Sequence, residues 1–140
     1  MRPYQTNLFD PVKIDIVPDL KVHMNKIVKN SDLSREQVVD KMNDIAKKHD
    51  MSLATGNGNR LTLDTFEKWL NPNETNRQMP IKALPVFCAA MKDVSSLDII
   101  ARGLGAEVIG PEERRKLEWA EEKLTVQQKL RRIREIEREL

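Results

Sequence analysis

The chain has 140 residues, enough for one domain with an appendage, and its 39% hydrophobic and 4% aromatic content favours a modest helical core over a large sandwich or barrel. Its 24 basic and 22 acidic residues give a net charge of +2. The overall basic excess of a strong non-specific nucleic-acid binder is therefore absent, although a locally basic face is compatible with this charge. The single cysteine excludes an intrachain disulfide, and no stretch reaches the ~18 apolar residues of a membrane-spanning helix. With no apolar signal core near the start, we expect a cytoplasmic protein without a membrane partner.

The first part of the chain, residues 1–18, is predicted to be an extended N-terminal arm. Prolines occur at positions 3, 11 and 18. Val12, Ile14 and Ile16 alternate with charged residues, a spacing typical of a strand. We expect one short strand that lies on the body of the protein or on a partner.

Residues 19–110 are predicted to form a domain of five helices. The first covers about 19–29, where apolar residues recur at helical spacing. The second follows Ser34, because the sequence Ser-Arg-Glu-Gln at 34–37 predicts a capping box, and it ends near Lys48 or His49. Glycines and asparagines in the stretch 50–60 then predict a loop.

The third helix is predicted between Thr62, a good N-cap, and the Asn71-Pro72 pair that ends it. Its apolar residues form one stripe, which should be buried: Leu63, Phe66, Trp69 and Leu70. Its polar residues form the opposite face, which should point outward: Asp64, Thr65, Glu67 and Lys68.

Two further helices complete the predicted domain. The fourth starts near Pro80 and carries Pro85 in its first turn or two, where a missing donor costs little. Its inward set is predicted to be Ile81, Leu84, Phe87, Cys88 and Met91. The fifth is capped by Ser95 or Ser96 and ends at Gly103 or Gly105.

Residues 111–140 are predicted to form a long, charged, amphipathic helix that serves for oligomerisation. Its candidate oligomerisation residues are Leu117, Leu124, Val126, Leu130, Ile133 and Leu140. From 126 onward their spacing is that of a coiled-coil seam, but it slips near Thr125, which could cap a second helix. Packing of this helix against its own domain is one alternative. A basic tail on DNA is a weaker one, because glutamates offset the arginines.

The predicted domain resembles the lambda-repressor-like, Cro-type helix-turn-helix domain of small phage and prophage regulators. The segment Phe66-Glu67-Lys68-Trp69 is similar to the Val-Ser-x-Trp segment of the family's recognition helix, followed by a turn at Asn71. The stretch from Pro80 through Leu84–Met91 is similar to its Pro-x-x-x-Leu helix, and Leu97–Ile100 to its terminal core helix.

The resemblance implies a sequence-specific regulator that binds duplex DNA as a homodimer or higher symmetric oligomer, with the 62–71 helix in the major groove. The implied base contacts are Asp64, Thr65 and Lys68, which can pair with base edges. The implied backbone contacts are Ser34, Arg35, Asn59, Arg60, Asn71, Asn73 and Arg77.

No enzyme is predicted, and neither a cofactor nor a metal. Cys88 lies among apolar residues, while His23 and His49 belong to no recognisable catalytic motif or zinc spacing. The alternative function is a helical adaptor that keeps the fold but binds a protein through its charged C-terminal helix. The acidic Asp64 and Glu67, which repel phosphates, favour that alternative.

Overall fold

The computed structural model describes residues 12–53 and 60–140. Within these ranges the chain forms six α-helices and no strand, which confirms the all-α prediction for the described residues. The helices are α1 (Val17–Asn30), α2 (Arg35–Lys48), α3 (Leu63–Leu70), α4 (Leu84–Met91), α5 (Ser95–Gly103) and α6 (Pro111–Glu139). The chain divides into two compact units, Met1–Val108 and Ile109–Leu140.

The strand predicted around residues 12–16 is wrong, and this stretch is attached to the end of α5 instead. The backbone N–H of Lys13 donates to the Gly103 carbonyl at 2.9 Å. A Cβ on Gly103 would lie 2.5 Å from the Lys13 carbonyl oxygen, so only glycine allows this approach. The rest of the predicted arm, residues 1–11, lies outside the described residues.

Local signals set the ends of α2 and α3. At α2 the predicted capping box is present: the Ser34 hydroxyl accepts the Gln37 N–H, and the Gln37 side chain accepts the Ser34 N–H. At α3 the Thr62 hydroxyl accepts the Thr65 N–H at 3.2 Å. Both helices therefore begin where their sequences predict.

The starts of α4 and α5 differ from the prediction. Residues 81–83 form a turn before α4, so Ile81 is 88% exposed and does not belong to the inward set. Pro85 still lies in the first turn of α4. Neither predicted serine caps α5, because the Asp93 carboxylate accepts the Ser95 N–H at 2.7 Å and Ser96 is fully buried.

The core of the first unit lies between α1, α2, α3 and α4. Phe66 of α3 and Phe87 of α4 are fully buried, with ring centroids 6.3 Å apart. Trp69 is 4% exposed and joins the same cluster, as its place in the apolar stripe predicts. In chain order, α1 packs on α3 and α5, and α2 packs on α3 and α4.

Two carboxylates at α5 predict how the fold responds to acid. The pKa of Asp98 is lowered mainly by the Val108 N–H, which donates to it at 2.9 Å, and then by the Arg102 side chain. The pKa of Asp93 is lowered mainly by hydrogen bonding to the Ser95 side chain. A carboxylate with a lowered pKa in the folded state stabilises the fold above its usual pKa of 3.8 and loses that contribution as the pH falls further.

We expect the free energy of unfolding of the first unit to decrease as the pH falls below 3.8. Urea unfolding, measured from neutral pH to below that value, tests this expectation. The double variant Asp93→Asn, Asp98→Asn should show a shallower decrease, whereas Asp40→Asn, an exposed change on α2, serves as the control. Identical acid profiles for the wild type and the double variant would contradict this assignment.

Candidate nucleic-acid interface

The beginning of α3 is held by a buried side chain of α2. The Asn43 amide donates to the Leu61 carbonyl at 2.9 Å, and the Leu61 N–H donates back to the Asn43 oxygen at 2.8 Å. These two bonds satisfy the backbone of the residue just before the Thr62 cap. The start of α3 is therefore fixed relative to α2, although the two helices are separated by the residues 49–62.

The end of α3 is held by a buried lysine of α1. The three N–H groups of the Lys21 ammonium face four carbonyl oxygens, those of Lys68 and Asn71, each at 3.2 Å, and those of Glu74 and Arg77, so at least one N–H is shared between two oxygens. Burial lowers the pKa of Lys21, and the Glu74 carboxylate opposes that shift. We call this arrangement of Lys21 and its four carbonyls the lysine clamp.

The clamp fixes the chain from the last turn of α3 through the following loop, residues 71–77. It also places a positive charge at the C-terminal end of the helix, where the helix dipole favours a cation. Sequence reasoning did not single out Lys21. The available signal was its position within the apolar stripe of α1, because Lys21 falls on the same helical face as Met24 and Val28.

A cleft beside α3 brings together several of the predicted contact residues. Its lining includes Arg35 from the start of α2, Asp64 and Lys68 from the outer face of α3, and Asn71 from its end. Ser34 is adjacent in sequence and takes part in the capping box. Thr65, next to Asp64, is partly exposed, and its hydroxyl accepts a hydrogen bond from the Thr62 hydroxyl at 3.1 Å.

The charged side chains of this cleft are paired with one another. Lys68 Nζ lies 2.9 Å from Asp64 Oδ2, and Arg35 Nη1 lies 3.2 Å from Glu67 Oε2. Arg35 also donates to the Asn25 side chain. Two cations thus face two carboxylates, and these four groups sum to zero charge.

Other predicted contacts lie elsewhere or have other partners. Arg60 lines a different cleft, together with Asn43, Lys47 and Asp50. The N–H of Asn73 donates to the Asn71 side chain at 3.0 Å, an ordinary turn interaction. Arg77 contributes its carbonyl to the lysine clamp. Asn59 lies outside the described residues.

The remaining chemistry-bearing side chains show structural contacts. Cys88 is 6% exposed, and burial, followed by the charge of Asp93, raises the pKa of its thiol. His23 of α1 and Ser95 of α5 share a hydrogen bond of 2.7 Å between their side chains. Among the described residues, no three His, Cys, Asp or Glu side chains are grouped for metal binding. None of the described helices has the length and apolar character needed to cross a membrane.

The helix α6 carries the predicted oligomerisation residues, but not on a single face. It continues through Thr125, whose hydroxyl donates to the Glu121 carbonyl at 3.0 Å, so no second helix begins there. With 3.6 residues per turn, Leu117 and Leu124 then lie on the side roughly opposite Val126 and Ile133. The six residues therefore cannot form one seam, and all of them are exposed.

Comparison with known proteins gave no match among protein-family models, curated proteins or solved structures.

Proposed function

We propose that this protein is a sequence-specific, duplex-DNA-binding transcriptional regulator of phage or prophage type. In this proposal α2 and α3 are the two helices of a Cro-type helix-turn-helix motif, and α3 enters the major groove of DNA as part of a symmetric oligomer. The single observation that carries the proposal is the cleft, in which Arg35 at the start of α2 lies beside the polar outer face of α3.

The chemistry of the cleft suits a DNA duplex. Lys68 can donate to the acceptors of guanine, Asp64 can accept from the amino group of cytosine, and Thr65 can pair with either kind of base. The start of α2 offers Arg35 to a phosphate, favoured by the positive end of the helix dipole. Because Arg35 partly neutralises Glu67, that carboxylate repels a nearby phosphate less.

The support of α3 at both ends is also consistent with a recognition helix. Asn43 fixes its start and the lysine clamp fixes its end. A helix held in this way presents its outer side chains in one orientation, which reduces the entropy lost on binding. The ion pair between Lys68 and Asp64 would exchange for contacts with base edges.

A helical adaptor that binds a protein remains the second candidate function. The favouring observations are the pairing of both cleft cations with carboxylates and the exposed apolar residues of α6. The two functions differ in their dependence on salt, because neutralised phosphates release counterions and make DNA binding weaken steeply as salt increases.

Selection of bound sites from random duplex DNA is the experiment that tests the proposal. Enrichment of a pseudo-palindromic sequence, with binding that weakens steeply as salt increases, would support a symmetric regulator. An absence of duplex binding above background at low salt would reject this proposal and favour the adaptor.

Lys68→Ala should reduce the affinity for the selected site by about 1–3 kcal/mol if Lys68 donates to a base. Fluorescence anisotropy with a labelled duplex measures this change. The stability should hardly change, because the lost ion pair with Asp64 is exposed and such pairs contribute little.

The matched control is Lys41→Ala, which removes the same charge from an exposed position in the middle of α2. It should alter binding only slightly and equally for all sequences. An unchanged affinity in Lys68→Ala, or the same loss in both variants, would remove Lys68 from the base-contacting set.

A further inference from the structure

The exposed apolar residues of α6 lie on two separate faces, apart from Ile136. One contains Leu117 and Leu124. The other carries a line of residues at intervals of seven, with Leu130 beside it: Trp119, Val126, Ile133 and Leu140. We call this second line the α6 seam. No residue of α6 is buried, and an isolated helix this rich in charge has little intrinsic stability in water, so the seam needs a partner.

The charges along α6 occur in blocks that alternate in sign. After Glu112 and Glu113 they are a basic block at 114–116, an acidic block at 118–122, a basic block at 129–134 and an acidic block at 135–139, and only Lys123 between the blocks and Arg138 within the last one depart from this pattern. The acidic block at 118–122 consists of Glu118, Glu121 and Glu122, with Trp119 and Ala120 between them. The basic block at 129–134 consists of Lys129, Arg131, Arg132 and Arg134, with Leu130 and Ile133 between them.

These blocks are related through Val126. The acidic block 118–122 and the basic block 129–134 lie at nearly equal distances on the two sides of Val126. The basic block 114–116 and the acidic block 135–139, farther out, are also at nearly equal distances from it and opposite in charge. Few of these charges are satisfied within the helix, where the only ion pairs are Lys116–Glu112 and Arg132–Glu135, at 3.9 and 4.0 Å. None of the acidic residues of the block 118–122 has an ion-pair partner in the described chain.

We propose that the partner of the α6 seam is the α6 helix of a second copy of this chain, antiparallel to the first and crossing it at Val126. In this arrangement the acidic block of each helix lies on the basic block of the other. Trp119 comes opposite Ile133 of the second copy. The inference rests on the symmetric oligomer of the proposed function and gives it an orientation.

The parallel alternative is disfavoured by two residues that flank the seam. Glu122 lies between Trp119 and Val126 along the helix, and Lys129 lies between Val126 and Ile133, both on the same side of the seam. In a parallel pair in register the copies of each residue lie on opposite sides of the seam, so Lys129 comes near Arg134 of the other helix, a like-charge contact, and Glu122 comes near the neutral Gln127. In the antiparallel pair both residues lie on the same side of the seam, so Glu122 of each helix comes beside Lys129 of the other, and this attractive contact forms twice.

The orientation of the two α6 helices determines how far apart their N-terminal ends lie. In an antiparallel pair that crosses at Val126, position 112 of one helix lies near position 140 of the other. The two copies of residue 112 are then about 42 Å apart along the pair, at a rise of 1.5 Å per residue. In a parallel pair they are roughly 10 Å apart, the usual distance between packed helices.

Distance measurement between spin labels on the full-length protein, without DNA, tests the orientation. Labels are attached to Thr125→Cys, beside the crossing point, and separately to Glu112→Cys. Wild type serves as the blank, because its only cysteine, Cys88, is buried. The proposal predicts a short distance for position 125 and a distance near 42 Å for position 112.

Short distances at both positions would mean a parallel pair and overturn the proposal, and so would the absence of any distance at position 125. Either result can be obtained while the α3 cleft still binds duplex DNA. Failure of this inference is therefore distinguishable from failure of the proposed function.

Charge reversal provides a second test that does not require labels. Glu122→Lys and Lys129→Glu, each alone, should weaken dimerisation roughly tenfold in analytical ultracentrifugation, because each replaces two attractive contacts by repulsive ones. The double variant should restore the wild-type affinity. In a parallel pair Glu122→Lys would meet the neutral Gln127 and leave the affinity unchanged, whereas Lys129→Glu would face Arg134 and strengthen dimerisation, so either of these results would reject the antiparallel arrangement.

Discussion

Replacement of Trp69 by alanine should lower the free energy of unfolding of the first unit by about 3–5 kcal/mol, the range for large-to-small changes at buried aromatic positions. Trp69 is only 4% exposed and packs in the cluster that contains Phe66 and Phe87. Removal of the indole ring leaves a cavity between α3 and the helices it packs on, α1 and α2. Because total stability is commonly 5–15 kcal/mol, this one change should remove a large fraction of it.

The chain provides a matched control for this experiment. Its other tryptophan, Trp119, is 64% exposed on α6, where the Lys123 ammonium lies 4.8 Å from the ring centroid. Urea unfolding is followed through hydrogen exchange of the backbone amides of α2 and α4. Trp119→Ala should leave these amides as protected as in the wild type, whereas Trp69→Ala should expose them at much lower urea concentration. Unchanged protection in Trp69→Ala combined with lost DNA binding would instead identify Trp69 as a contact residue.

The features of the fold that were predictable from the sequence depend on neighbouring residues. The capping box at Ser34 and the cap at Thr62 join residues three positions apart, and the apolar stripe of α3 repeats within two turns, with all its residues buried except Leu63, which is partly buried. Such signals are complete within a short window of sequence. The start of α4 was predicted wrongly, because Pro80 and Pro85 are both compatible with a first helical turn. In the structure the helix begins at Leu84, and Pro85 lies in its first turn.

The features that were missed depend on residues distant in the chain. Asn43 binds the backbone of Leu61, 18 positions away, and Lys21 reaches carbonyls between 47 and 56 positions away. Nothing in the local sequence of α1 identifies those carbonyls. The pairing of Arg35 with Glu67 across two helices is of the same kind. Sequence patterns therefore gave the elements of the candidate site, whereas its internal ion pairs and its supports required the structure.

The lysine clamp gives the second large expected effect. Lys21→Met keeps an unbranched apolar side chain of similar length but removes the ammonium from four carbonyl oxygens. A carbonyl left without a donor costs up to about 1–3 kcal/mol, but these carbonyls are only part-buried and the relief of a buried charge offsets part of the total, so we expect a loss of about 3 kcal/mol in unfolding free energy. Urea unfolding measures this loss. The control is Lys26→Met, an exposed position on the same helix, which should change stability little.

The clamp also joins stability to the candidate site, because two of its carbonyls belong to Lys68 and Asn71. Under conditions where Lys21→Met is still folded, the amides of the loop 71–77 should exchange faster than in the wild type, while those of α4 should not. DNA affinity should decrease as well, since Lys68 and Asn71 lose their fixed orientation. A Lys21→Met protein as stable as the wild type, with an equally protected loop, would mean that the four carbonyls find other donors and that packing alone holds the end of α3.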